Sequence, residues 1–332
     1  MLLPTPYSLL PTQDITRQLG ANLVDNRLWS YNIFSGQFSI LINLVTIIIV
    51  NARLRMTKLT LKSGKEVPIL GQGTWRMGEK PSQKKAEINA LKLGIDLGMT
   101  LIDTAEMYGE GGAEKIVAEA IAKRRDEVYL VSKFYPDNAS YDGLIAACDR
   151  SLSRLRTDYL DLYLLHWRGS VPLSETLKGL QYLKQAGKIL DYGVSNFDTD
   201  DMEEAESLPG GKEIVTNQVL YNLKRRGIEW DLLPWCKQRD IPIMAYSPVE
   251  QRAFVNNSKL DKIAAKHNAT TTQIALSWLL HQDNVISIPK ATNPQHVREN
   301  SAALDIELTD EDLQQLDRNF KPPTRKMYLA MR

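Results

Sequence analysis

The chain has 332 residues, 43% of them hydrophobic, with 41 basic side chains against 40 acidic ones. That suits a soluble protein with apolar material for one large domain or two small ones. The near-neutral balance argues against nucleic acid as the main partner, since phosphate binders carry a basic excess. Two cysteines, Cys148 and Cys236, stand far apart without CxxC spacing, which points to a reducing cytoplasm and buried spectator thiols rather than a disulfide framework.

Residues 1–55 differ from the rest, with few charges, no sustained period and the aliphatic run "ILINLVTIIIV" at residues 40–50. That run is well short of the roughly 20 apolar residues that cross a bilayer. It also lies too far along the chain, without a small-residue cleavage site, to be a secretory signal. The segment reads as an upstream extension outside the fold, with Met56 as the functional start, and no membrane is expected as a partner.

From Met56 the pattern becomes regular. "KLTLKSGKEVPIL" alternates apolar and polar residues about Ser63-Gly64-Lys65, which predicts a short hairpin. The strand "PILGQGT" follows, then an amphipathic helix over 84–97 and the strand "TLIDTA". A helix over 113–123 leads to "VYLVSKF", one over 143–155 to "YLDLYLLHW", and one over 175–186 to "LDYGVSN". The strands "VTNQVLY", "IPIMAYSP" and "VISIPK" complete eight, and a helix-like "TDEDLQQLDRNF" precedes the final "KPPTRKMYLAMR". The helical stretches repeat apolar residues at three- and four-residue steps, as at Leu177, Leu180 and Leu183. The strands are near-continuous apolar runs, as in parallel sheets covered on both faces. Eight such units without a Pro/Ser-rich linker predict one domain over 56–332. Its fold class is α/β, a (β/α)8 TIM barrel with an N-terminal β-hairpin and extra C-terminal helices.

Asp103, Lys133, His166, Asn196, Gln218, Ser247 and Lys290 all stand at or just past the C-terminal ends of these strands. In a barrel those ends share one rim, where active sites are built. The other histidines, His267, His281 and His296, show no ligand spacing with Asp, Glu or Cys, so no metal site is expected. The glycines of "GQGTWR" and "GEGGAE" do not spell a Rossmann fingerprint.

From about Lys58 onward the sequence resembles the aldo-keto reductases. The motifs "GQGTW", "DTAEMYG", "SKF", "LLHW", "GVSNF", "NQVLY", "AYSP" and "IPKATNPQHVREN" occur in that family's order. Within it the chain is most similar to bacterial reductases of small aldehydes and dicarbonyls such as methylglyoxal. The resemblance implies four catalytic positions, Asp103, Tyr108, Lys133 and His166. Hydride addition to a carbonyl builds charge on oxygen, so an acid must deliver a proton there. Tyr108 would be that acid, a phenol with a reference pKa of about 10 that Lys133 is expected to lower. Asp103 would hold Lys133 charged, and His166 would orient the carbonyl by a hydrogen bond. Trp75 and Trp167 would flank the substrate beside Tyr108 and His166.

The resemblance also implies NADPH lying extended across the barrel mouth. Ser195, Asn196 and Gln218 would hold the carboxamide, Tyr246 would stack on the nicotinamide, and Ser247 would help hold the pyrophosphate. Gly73, Thr74 and Asp103 would bound the same end. Lys290, Ala291, Thr292 and His296 would meet the 2′-phosphate, with Glu299 and Asn300 at the adenine. Here the sequence departs from the family: Ala291 replaces a usual serine, Asn293 stands at a common threonine position, and His296 stands where a phosphate-binding arginine is usual. A histidine is only partly charged near neutral pH and lacks the guanidinium fork. NADPH use with a weakened preference and measurable NADH activity is therefore expected.

The implied function is an NAD(P)H-dependent reductase of small aldehydes, α-dicarbonyls or keto-sugars, acting as a cytoplasmic monomer. One alternative is a cofactor-binding regulatory subunit on the same fold, since fold alone does not settle function. Another makes Lys133 a Schiff-base nucleophile, against which stands Asp103, whose charge would keep the lysine protonated.

Overall fold

The structure is a computed structural model that describes residues 58–332. The expected extension over 1–55 and its aliphatic run lie outside the described residues. Two short strands, β1 (Lys58–Thr60) and β2 (Glu66–Pro68), pair antiparallel as the predicted hairpin. Eight further strands follow: β3 (Gln72–Gly73), β4 (Leu101–Asp103), β5 (Tyr129–Phe134), β6 (Leu160–Leu165), β7 (Ile189–Ser195), β8 (Asn217–Leu220), β9 (Ile243–Tyr246) and β10 (Val285–Ser287). Each is parallel to the next, in the order β3 through β10.

Closure comes just before β3. Leu70 bridges Ser287, with Gly71 N donating to Ser287 O at 2.8 Å and Ser287 N to Ile69 O at 2.7 Å. The eight strands therefore form the expected (β/α)8 barrel. Gly73 is required where the ends meet, because a Cβ there would lie 2.8 Å from the Ile288 carbonyl oxygen.

The crossover helices are α1 (Lys84–Asp96), α2 (Gly112–Ile121), α3 (Tyr141–Leu155), α4 (Leu173–Gln185), α5 (Thr199–Ser207), α6 (Leu232–Lys237), α7 (Asp261–Lys266) and α8 (Thr271–Leu280). Two more, α9 (Pro294–Ala302) and α10 (Asp310–Asn319), follow the last strand. Local chemistry sets their starts. Asp198, Thr270 and Thr309 each form a reciprocal capping box that satisfies the first free N–H groups of α5, α8 and α10.

Side-chain alternation sorts the strands into two cores. Leu101, Val131, Leu162, Leu164, Met244, Ile286 and Ile288 form an apolar cluster with Leu61 and Val67 of the hairpin. Intervening residues such as Ile102, Leu130, Phe134, Tyr163 and Tyr192 join the larger cluster with the helices. The hairpin is tied to the barrel by Ser63 Oγ, which donates to Asp191 Oδ2 at 2.7 Å.

Candidate active site

The alternation that builds the inner core also aims the site. Asp103 is two residues past Leu101, Lys133 two past Val131, and His166 two past Leu164, so each shares its neighbour's face. The residue between Val131 and Lys133 looks the other way. Ser132 donates its hydroxyl to Glu114 of α2 at 2.7 Å. Strand period thus carries an acid, a base and an imidazole to one rim.

Lys133 is fully buried, and its Nζ donates to Asp103 Oδ2 at 2.8 Å, Thr104 O at 2.8 Å and Tyr108 Oη at 3.4 Å. Those three acceptors match the three N–H bonds of an ammonium, which is how a buried lysine is tolerated. Because the Tyr108 oxygen accepts from Lys133, the phenol's own O–H is left to donate elsewhere. The loop carrying Tyr108 is braced by Glu106, which was not foreseen from sequence. Its Oε1 accepts from Tyr135 N at 2.8 Å and Asn138 Nδ2 at 2.7 Å, joining the loops after β4 and β5.

Electrostatics corrects one expectation. Burial first, and the Asp103 carboxylate second, hold the Tyr108 phenol well above its ordinary range. Lys133 was expected to lower it, but desolvation wins. Burial also pushes the Lys133 ammonium down, opposed by its pairing with Asp103. Tyr108 is thus held firmly as the protonated phenol, the form a proton donor needs. His166 is 9% exposed, and burial, then Lys133, lower its pKa to about 3. The ring is neutral near pH 7. Among the described residues its Nδ1 is shut in without a partner, and its ring meets Tyr108 edge-on at 5.8 Å between centroids. Trp167 packs 4.9 Å from His166 and 5.8 Å from Tyr135, while Trp75 is 39% exposed with Arg76 over its ring at 4.3 Å.

The residues expected to hold a carboxamide also converge. Asn196 Nδ2 donates to His166 O at 3.0 Å and Ser195 Oγ at 3.1 Å, and Ser195 Oγ donates to Gln218 O at 2.8 Å. Tyr246 Oη donates to Asn196 Oδ1 at 3.0 Å. Gln218 Nε2 is committed to Asp103 Oδ1 at 2.7 Å and Met244 Sδ at 2.9 Å. Gln218 therefore couples the expected cofactor wall to the acid behind Lys133, a link 115 residues long that no local pattern signals. Asn196 and Ser247 hold left-handed φ values of 58° and 50°. Such conformations cost energy in non-glycine residues and cluster at ligand sites. Thr74 joins the group through its N–H and Oγ1, both 3.0 Å from Asp103 O.

Lys290, Ala291 and Thr292 lead from β10 to α9, whose N-terminus is capped by Asn293 Oδ1 accepting from Gln295 N at 2.8 Å. A helix start favours an anion. Ala291 packs against the apolar cluster of Leu70, Ala90 and Val297, so only its backbone is available to a phosphate. His296 and Arg298 are both exposed; Arg298 lines a groove with Asn268, Gln273, Gln295 and Glu299. Asn300 is buried, and Gln295 Nε2 donates to Glu299 Oε1 at 3.1 Å. Desolvation of its amine lowers the Lys290 pKa although the residue as a whole is exposed; Glu87 opposes this and Arg76 adds to it. Arg76, absent from the sequence reading, thus adds a second cation near Lys290.

A family model described as the aldo/keto reductase family matches residues 69–319. The chain belongs to the aldo/keto reductase family. It is 50% identical over 270 residues to methylglyoxal reductase YeaE of Escherichia coli, covering 80% of this chain and 95% of that one. It is 34% identical over 257 residues to a glyoxal reductase of Bacillus subtilis, covering 77% and 90%. An aldo/keto reductase of Klebsiella pneumoniae solved with NADP and acetate matches at 48% identity and TM-score 0.81, covering 83% of this chain and 99% of that one. The same TM-score and coverage hold for an aldo-keto reductase of that organism solved with NADPH. The residues present suit such a dinucleotide. Gln218 Oε1 has no hydrogen bond among the described residues, and the rotatable Ser195 hydroxyl beside it can serve an amide.

Proposed function

We propose that this chain reduces small aldehydes, α-dicarbonyls of the methylglyoxal kind or keto-sugars, using NADPH and a rim of four residues. The observation that carries this is the buried Asp103–Lys133 pair whose third N–H ends on the Tyr108 oxygen. NADPH supplies the hydride when bound. Ser195, Asn196 and Gln218 would hold its carboxamide, Tyr246 its ring and Ser247 its pyrophosphate, bounded by Gly73 and Thr74. Lys290, Ala291, Thr292 and His296 would meet the 2′-phosphate, and Glu299 and Asn300 the adenine.

Tyr108 gives its proton to the carbonyl oxygen as charge develops there. Lys133, already donating to that phenol oxygen, stabilises the phenolate left behind, and Asp103 holds the ammonium in place. A neutral His166 with its proton on Nε2 donates to the same carbonyl and orients it. Trp75 and Trp167 form apolar walls. A Schiff-base role for Lys133 is disfavoured, because its amine is enclosed and every N–H is engaged. A purely regulatory subunit has no need of this constellation.

The domain comprises residues 56–332, with 1–55 dispensable, and the protein works as a cytoplasmic monomer. A panel following NADPH oxidation with methylglyoxal, simple aldehydes and keto-sugars tests the substrate class. No turnover on any of them would reject the reading.

A further inference from the structure

The loop after β9 carries an acid where an anion is meant to bind. Glu250 has a side chain only 4% exposed, and both of its oxygens are occupied. Asn222 Nδ2 donates to Oε2 at 2.7 Å, while Arg225 Nε at 3.1 Å and Arg332 Nη2 at 2.7 Å donate to Oε1. The same Asn222 amide holds Ser247 O at 2.9 Å, so the carboxylate sits beside the residue assigned to the pyrophosphate. Left alone, a buried carboxylate there would repel the phosphates. Two guanidinium groups on one oxygen offset that charge.

Arg332 makes a second contact on the same wall. Its main-chain N–H donates to Tyr246 Oη at 3.3 Å. Tyr246 in turn donates to Asn196 Oδ1, and Asn196 to the His166 carbonyl. A chain of hydrogen bonds therefore runs from Arg332 across the proposed nicotinamide platform to the catalytic imidazole's backbone. The loop it pins has left-handed φ at Ser247, Glu250 and Gln251, conformations that persist only when surrounding contacts enforce them. The path of residues 321–332 is held along the way. Arg226 Nη1 donates to Phe320 O at 2.7 Å, and Lys326 Nζ lies 3.2 Å from Asp200 and 3.3 Å from Asp231.

We propose that Arg332, paired with Glu250, is a positioning residue for the cofactor wall. Its guanidinium neutralises the acid beside the pyrophosphate site, and its main-chain N–H fixes the Tyr246 hydroxyl, so NADPH is retained only while residues 321–332 are docked. By linkage, bound NADPH must then hold that segment down. This rests on the NADPH reading of the site.

The test uses the full chain with Arg332→Ala, Arg332→Lys, Glu250→Gln and the Arg332→Ala/Glu250→Gln double variant. NADPH affinity is read by fluorescence titration, and docking by tryptic cleavage after Arg325 and Lys326 with and without NADPH. Arg332→Ala is expected to raise the Kd by about fivefold or more, the low end of site-to-site coupling, and Arg332→Lys to recover most of it. In the Glu250→Gln background the Arg332→Ala effect should shrink, because no charge is left to neutralise. NADPH should slow cleavage in the wild type and fail to do so in Arg332→Ala. A Kd within about twofold of wild type, additive effects of the two substitutions, or cleavage indifferent to NADPH would each overturn the proposal. A wild-type chain that does not bind NADPH would instead reject the cofactor reading itself.

Discussion

Tyr108→Phe separates catalysis from stability. The substitution removes one hydroxyl whose protein hydrogen bond, from Lys133, is long at 3.4 Å. Lys133 keeps its two 2.8 Å partners, Asp103 Oδ2 and Thr104 O, so the buried charge stays compensated. The stability cost should therefore stay within about 1 kcal/mol, the scale of one net hydrogen bond. The ring itself, packed edge-on to His166, remains. Catalysis should respond very differently. Without a proton donor, kcat should fall by at least about a hundredfold, the lower range for general acid catalysis, or about 2.7 kcal/mol of barrier. The assay is steady-state NADPH oxidation with methylglyoxal, alongside a thermal melt and an NADPH fluorescence titration. Expected are an almost unchanged melt, unchanged NADPH affinity and lost turnover. Turnover within about tenfold of wild type would remove Tyr108 from the mechanism; a large stability loss would show that the phenol is structural.

Lys133→Met should behave the opposite way on stability, costing about 3–5 kcal/mol because Asp103 is left charged and buried; urea unfolding reads this, and a loss under about 1 kcal/mol would refute it. His166 gives a pH signature. Its folded pKa of about 3 lies below the unfolded value near 6.5, so the unfolded chain binds the extra proton, and the associated stability is lost as pH falls below about 6.5. At pH 4.5 the wild type should have lost about 2–3 kcal/mol more than His166→Gln, relative to pH 7.5; equal losses would show that the imidazole titrates normally. His296→Arg should raise kcat/KM selectively for NADPH over NADH, since the exposed imidazole lacks the guanidinium fork; an unchanged ratio would place residue 296 away from the phosphate. Removing residues 1–55 should leave NADPH-dependent activity in place, and lost activity in a folded protein would make that segment part of the enzyme.

All eight barrel strands were legible because strands covered on both faces are continuous apolar runs. Their ends were not. "PILGQGT" contributes only Gln72–Gly73 as a strand, because Leu70 closes the barrel through a single bridge to Ser287. "YLDLYLLHW" yields Leu160–Leu165, with His166 beyond the strand at the rim. Asp103, Lys133 and His166 were readable through their places at or just past the C-terminal ends of the strands, which share one rim in a barrel. The direction of the Tyr108 shift was not, since the sequence shows which charges lie near but not how much water is excluded. The Gln218–Asp103 and Arg332–Glu250 pairs, 115 and 82 residues apart, left no trace in local pattern at all. Glu114 could have been found: it faces Ser132, the outward residue beside Lys133 in β5.

A crystal structure of the chain with NADP puts the four-residue site to its most direct test. The nicotinamide is expected against Tyr246, its carboxamide among Ser195, Asn196 and Gln218, and its reactive face turned to the Tyr108 hydroxyl and His166. An ordered dinucleotide with its nicotinamide anywhere else, or turned away from Tyr108, would contradict it.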